Sequence, residues 1–425
     1  MNDSAPSQNM PHASRLAATV PQERERTLDV LRGFALLGIL LVNVQLMAGP
    51  QLIEAIFTAG ELAASQTQRI VEGLIGWLVA GKFVASFSIL FGVGAAIIAS
   101  RATTHGRAPV RVLVRRYLLL LLAGILHFVL LFPGDILFYY GLTGLLLLAF
   151  VRRTDKTLAV WAVALTVTLS VLITLVVVAS AATGTIDTEA GAVALEAAQD
   201  GQAAYTAGSY TGVVVWNLGQ AGLIQTGSLT LLPLTLALFL IGMLAFRRGF
   251  ALSPKTHRAT LVRIARVTLP LGLLLNVPLL FTGPVLDIAV NQGASAALLA
   301  AAAVSQTVGA PLLAVGYLTT IASIVTRVGT NGWLTRRLAA LGQIALTGYL
   351  TQSIAALVVF FAFRLYGNTT LFGEPILGML VFVIGVWVLL LVAAPLWTRR
   401  FAYGPFEWVW RYGTYGTRPP FRLNT

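Results

Sequence analysis

The chain has 425 residues, of which 57% are hydrophobic and only 11% charged, where ordinary soluble domains carry about 25% charged residues. This excludes a soluble globular enzyme and predicts an all-α fold, a polytopic membrane helix bundle. With no cysteine, and with His12, His105, His127 and His257 as the only histidines, a disulfide framework, a thiolate nucleophile and a multi-histidine metal site are not expected.

Residues 1–26 are polar and Ser/Ala/Pro-rich, without the short apolar run and small-residue cleavage site of a secretory signal, and read as a disordered cytoplasmic tail. Apolar runs then follow at approximately 28–48, 74–100, 112–133, 135–151, 157–181, 228–246, 264–283, 298–326, 338–363 and 375–397, which gives about ten transmembrane helices. Segment 213–227, VVVWNLGQAGLIQTG, is too polar to face lipid. Three readings stand for it: an extension of the sixth helix, an interfacial piece, or a re-entrant segment lining a cavity. The membrane domain covers 27–398. Within it, 182–212 forms an acidic extracytoplasmic loop. Residues 399–425 form a cytoplasmic tail whose Trp and Tyr suit headgroup depth.

Orientation follows from the basic residues. All but Arg69, Lys82 and Arg364 of the 29 Lys and Arg fall in the N-terminal segment, in alternate loops, or in the C-terminal tail. The opposite loops carry Glu54, Glu61, Asp187, Glu189, Glu196, Asp200, Asp287 and Glu374. Both termini are therefore cytoplasmic. The net charge of +13 reads as topology, and a nucleic-acid partner is unnecessary.

The stretch from Tyr117 to Phe150 joins two apolar runs at Phe132-Pro133-Gly134-Asp135. Pro presets φ and Gly accepts positive φ, so a tight turn is expected there. His127 lies roughly 9 Å of helix rise inside that turn, and Asp135 opens the next helix at the outer surface. On the predicted topology, Asn43, Lys82, His127 and Asp135 come from four consecutive helices at one depth, with Tyr139 and Tyr140 a turn below. Such agreement predicts an outward-facing, water-accessible cavity. His127 is the candidate general base, and Asp135 would fix its tautomer if the hairpin closes tightly. Each residue also has a plain structural reading: a His bonded to a carbonyl, a hydrated Asp, a snorkelling Lys82, and Asn43 as a helix–helix contact. At the cytoplasmic end, Asp29 and Arg32 are three apart on one helix face.

These residues carry a resemblance. RTLDVLRGFALLGILLVN (26–43), GKFVASFSILFGVG (81–94), GILHFVLLFPGDILFYYG (124–141), LGQIALTGYLTQS (341–353) and GPFEWVWR (404–411) resemble the YeiB-like bacterial membrane proteins, a largely uncharacterised family. The opening helix is also similar to that of a wider transmembrane acyltransferase superfamily. That group includes heparan-α-glucosaminide N-acetyltransferase, through Asp29, Arg32, Gly33, Phe34 and Asn43. The resemblance implies an acyl group taken from cytoplasmic acyl-CoA, as co-substrate, and placed on an extracytoplasmic glycan or lipid acceptor. O-acyltransferases usually have His where this chain has Asn43, and the acetyltransferase's catalytic His lies in a segment without a match here. His127 must then supply the base.

On this reading His127, Asp135, Asn43 and Lys82 form the catalytic end, with Asn43 or Lys82 stabilising the oxyanion. Asp29, Arg32, Arg115 and Arg116 form the cytoplasmic end, where arginines attract CoA phosphates. The rival expectation is a transporter for a small solute or lipid, and a third is a scaffold whose polar groups only pack helices. Acyl transfer requires a cavity continuous from the arginine-rich face towards His127. A transporter requires two alternating mouths. The bilayer of the plasma or inner membrane is the expected surrounding, a homo-oligomer is left open, and no metal is expected.

Overall fold

Long apolar runs with few helix breakers leave the backbone no partner in lipid except itself, so the spanning segments fold as helices. The structure, a computed structural model, describes residues 25–49, 65–183, 196, 199–283, 294–371 and 374–423. Most of the N-terminal tail, most of the outer loop's acidic part, and Glu54, Glu61, Asp187, Glu189 and Asp287 lie outside the described residues. Among the described residues the only β features are two isolated bridges, Leu371 with Glu374 and Phe401 with Arg422.

In chain order the helices are α1 (Arg26–Met47), α2 (Gln66–Leu78), α3 (Lys82–Thr104), α4 (Pro109–Leu130), α5 (Leu137–Leu147), α6 (Asp155–Thr183), α7 (Tyr210–Leu229) and α8 (Leu232–Arg247). There follow α9 (Arg258–Leu275), α10 (Pro278–Thr282), α11 (Ala296–Val304), α12 (Ala310–Val328), α13 (Trp333–Gln343), α14 (Ala345–Ala356), α15 (Pro375–Thr398) and α16 (Pro405–Tyr415). Eight helical stretches among the described residues are long and apolar enough to cross a membrane, and two shorter apolar helices, Leu137–Phe150 and Leu232–Arg247, complete the ten expected runs. The chain is a multi-pass membrane protein.

The centre and the rim of the bundle are told apart by burial. In α1, 61% of the most apolar window is buried, against 17% in α6, whose Val163, Leu172 and Val176 are more than half exposed and meet lipid. α1 packs on α13 through bare backbone. A Cβ at Gly342 would lie 1.8 Å from the Asp29 carbonyl oxygen, and one at Gly33 would lie 2.1 Å from that of Leu338. Only glycine permits this approach.

Several expected single helices are interrupted. The run at 74–100 breaks between α2 and α3, with Gly81 at φ 79°. The run at 264–283 breaks between α9 and α10, where Asn276 Nδ2 bonds the Gly272 carbonyl at 2.7 Å. The run at 338–363 breaks at Ile344 (φ −117°, ψ 39°), and α14 continues as a π-helix over Leu357–Ala362. A break inside a membrane exposes backbone polar groups that need partners. Here Glu407 of α16 supplies them, accepting from the Leu346 N–H at 2.6 Å, the Thr347 N–H at 3.0 Å and the Thr347 hydroxyl at 2.5 Å. The C-terminal segment, expected to lie at the interface, thus inserts its acid as a cap on α14.

Segment 213–227 forms part of α7, a helix of its own that ends two residues before α8 begins. Polar residues of α7 close the end of α4: Asn217 Nδ2 donates to the Val129 carbonyl at 3.1 Å and the Tyr210 hydroxyl to that of Leu130 at 2.6 Å.

Burial raises the Glu407 carboxyl above the ordinary range, outweighing the Thr347 and Leu346 donors that pull it down. A raised folded pKa means the native state keeps a proton that the unfolded chain has lost. Its contribution is therefore complete below the ordinary value near 4.5 and declines as pH rises through the folded value. Glu407→Gln, which cannot titrate, is expected to flatten this part of the melting-temperature profile as pH rises above about 4.5. A variant profile as steep as wild type would contradict it.

Candidate functional site

The site is built on the α4–α5 hairpin. Its two helices close because glycines face the partner backbone. A Cβ at Gly124 would sit 2.0 Å from Phe138 N, and one at Gly141 would sit 2.8 Å from Leu121 N. Gly124 and His127 are three apart and share a face of α4, so closing the hairpin at Gly124 brings His127 towards the turn. Gly134 is absent from the glycines with positive φ. Its role is spatial instead, because a Cβ there would meet the Phe132 ring at 2.5 Å.

The helical run Leu137–Phe150 amounts to roughly 21 Å of rise at ~1.5 Å per residue, short of the ~30 Å hydrocarbon core. The sequence puts the turn before this run at the outer surface. Asp135, expected at that surface, is buried at 3% exposure. Its Oδ2 accepts from the Phe138 N–H at 2.6 Å, capping the first turn of α5, where the helix dipole favours an anion.

Asp135 Oδ1 lies 2.6 Å from His127 Nδ1. On the other side of the ring, His127 Nε2 lies 2.8 Å from the Ser353 hydroxyl of α14. His127 and Ser353 are 2% and 1% exposed. A carboxylate only accepts, so with Asp135 ionised Nδ1 carries the proton and Nε2 accepts from Ser353. The Tyr349 ring stands 5.0 Å from the imidazole, and its hydroxyl accepts from the Ile136 N–H at 3.4 Å. Ser353 was not among the residues the sequence singled out. The only signal for it was its place at the end of the LGQIALTGYLTQS segment.

The other expected members are elsewhere. Lys82 neither joins this group nor snorkels. It is fully buried, and its ammonium donates to the Gly76 carbonyl at 2.5 Å, closing the α2–α3 break. Asn43 is half-buried, and among the described residues no hydrogen bond joins it to His127, Asp135 or Ser353. The two tyrosines below the turn bond across the bundle, Tyr139 to Thr235 and Tyr140 to Ser88, each at 2.7 Å.

A cavity of about 140 Å³ leads towards this group from the end of the bundle that carries Arg32, Arg116 and Arg411. Phe87, Phe91, Leu120 and Tyr140 line it, and it ends at Ile136 and Tyr349. It shares Arg32, Gly94, Arg116, Gln343 and Arg411 with a wider vestibule of about 330 Å³, which also holds Arg101 and the acids Glu25 and Asp29. Asp29 holds Arg32 at 3.1 Å. The Arg116 guanidinium lies 3.6 Å over the Trp410 ring, while Trp410 Nε1 donates to the Arg116 carbonyl at 3.0 Å. Arg115 departs from expectation: it donates to the Gly413 carbonyl at 2.9 Å and lines neither cavity. Arg101 and Arg411, read from sequence only as topogenic charges, take its place.

Residues 245–417 match a family model described as "Protein of unknown function (DUF418)". Over 97% of this chain and 99% of the relative, the sequence is 30% identical to the uncharacterized protein YxaH of Bacillus subtilis (strain 168). It is also 29% identical to the uncharacterized protein YeiB of Escherichia coli (strain K12), over 92% of this chain and 96% of the relative. No solved structure matches. With its DUF418 region and a nearly full-length match to these relatives, the chain belongs to the YeiB-like family of membrane proteins of unknown function.

Proposed function

We propose that the protein is a transmembrane acyltransferase that takes an acyl group from cytoplasmic acyl-CoA and transfers it to a glycan or lipid acceptor on the outer side. The observation that carries this reading is the cavity running from the arginine vestibule to Tyr349, beside the buried His127–Asp135 pair. Arg32, Arg101, Arg116 and Arg411 offer guanidinium forks to phosphates, and the aromatic and aliphatic channel suits a thioester arm and acyl chain. His127 acts as general base in a water-poor site, with Asp135 holding the ring and balancing the imidazolium. Asn43 and Lys82 take no part in the chemistry proposed here, and Arg115 takes none in donor binding.

The test is label transfer in nanodiscs from radiolabelled acyl-CoA to mixed envelope glycans and lipids. His127→Ala is expected to lower transfer by about 10²- to 10⁴-fold while the purified protein elutes as wild type does. Transfer unchanged in the variant would remove His127 from the chemistry. A second reading, a transporter, draws on the interrupted helices between α2 and α3 and between α9 and α10, since broken helices often line transport sites. Solute flux into proteoliposomes without acyl-CoA consumption would favour it.

A further inference from the structure

We propose that Ser353 is a nucleophile that carries the acyl group covalently, so that transfer runs through a seryl ester within the membrane. The proposal rests on the acyl-transfer reading above and adds its intermediate.

A serine hydroxyl is a weak nucleophile unless a base is hydrogen-bonded to it and a third group orients that base. Ser353, His127 and Asp135 supply that arrangement at 2.8 Å and 2.6 Å, with the two imidazole nitrogens in their required roles. The same three-part arrangement recurs on unrelated folds.

The local pattern of this bundle gives Ser353 one of its less common partners. Buried hydroxyls on its helices ordinarily return to the carbonyl four residues back. Ser86 bonds Lys82, Ser88 bonds Val84, Thr143 bonds Tyr139, Thr307 bonds Ala303 and, half-buried on α14 itself, Thr351 bonds Thr347. That is the default for Ser and Thr in a helix. The Ser353 hydroxyl bonds His127 instead, much as Thr235 bonds Tyr139 across the bundle, but its partner is a base. Ser353 also sits one turn before the π-helix at Leu357–Ala362, an irregularity found frequently at functional sites.

Position supports the same role. Tyr349, where the cavity ends, is four residues before Ser353 on the same face of α14. A thioester carbonyl at that end is within a helical turn of the hydroxyl, and the Tyr349 O–H is a donor for its oxyanion. Ser353 is 1% exposed, so an ester formed there is kept from water. A covalent intermediate also relieves a topological difficulty, because donor and acceptor arrive from opposite sides and need not be bound together.

The steps balance. Ser353 Oγ attacks the thioester carbonyl while its proton passes to His127 Nε2. The C–S bond breaks, and the CoA thiolate leaves with that proton as the free thiol. An acceptor hydroxyl then gives its proton to His127 and attacks the ester. Ser353 Oγ leaves and recovers the proton.

The experiment incubates the full chain in nanodiscs with radiolabelled acetyl-CoA or palmitoyl-CoA without acceptor, followed by acid quench and peptide mass spectrometry. Up to one label per chain is expected, on the peptide containing Ser353, with an equal amount of free CoA thiol. Ser353→Ala should hold no label. Ser353→Cys should hold it as a thioester that neutral hydroxylamine releases, which also shows that a replaced position 353 still folds. Label on another residue, or Ser353→Ala transferring to acceptor at the wild-type rate, overturns the covalent intermediate and leaves acyl transfer standing. Neither label nor transfer with both donors overturns acyl transfer and the intermediate with it.

Discussion

Asp135→Asn is expected to lower acyl transfer by about 10²- to 10⁴-fold while leaving the protein folded. The carboxylate now accepts from His127 Nδ1 and from the Phe138 N–H. Asparagine can keep only part of this, since its oxygen accepts but its amide donates. An amide donor facing Nδ1 moves the ring proton to Nε2, where it faces the Ser353 hydroxyl. The base is then protonated on the wrong nitrogen, a defect that costs about 10⁴ in rate in serine-protease triads. Because Asn is nearly isosteric and still caps α5, stability should change far less than activity. The check is a melting curve in detergent together with label transfer, and nitrogen resonances of labelled imidazole report the tautomer directly. Activity within a few-fold of wild type, with the tautomer switched, would show that His127 does not act as the base.

Gly124→Ala is expected to damage both stability and activity. A methyl group at this position would sit 2.0 Å from Phe138 N and 2.8 Å from Asp135 Oδ2. The first contact is with backbone, which cannot swing aside as a side chain can, so α5 must move away from α4. Overpacking of this kind costs about 1–3 kcal/mol and occasionally more. The movement also separates Asp135 from His127, and losing one partner of a buried pair leaves an uncompensated group that costs about 3–5 kcal/mol. Gly385→Ala on α15 is the control, because its added methyl meets nothing within 4 Å. The measurement is the melting temperature of both variants and their transfer rates. Equal behaviour of the two would mean that the hairpin absorbs the methyl group and that its glycines do not position the site.

The legible and illegible parts of this protein divide along a physical line. Helices, their number and the His127–Asp135 hairpin are local properties. Hydropathy, the sidedness of Lys and Arg, and a short turn all act within a few tens of residues. The family resemblance was likewise carried by contiguous segments. By itself, then, the sequence determined a polytopic helical membrane protein with a His in an apolar run beside an acidic turn. Depth along a helix could be counted, but direction around it could not. Lys82 and Asn43 shared the predicted depth with His127, yet Lys82 turned to close a helix break and Asn43 did not join the pair. Only the tertiary structure decided that Ser353 meets His127 across a separation of 226 residues. It also decided that Glu407, 60 residues beyond Thr347, caps α14, and that Arg411 of the C-terminal helix completes the vestibule. Those contacts follow from how glycine-faced helices pack and where their breaks fall. That arrangement is a property of the whole bundle, which no single segment encodes.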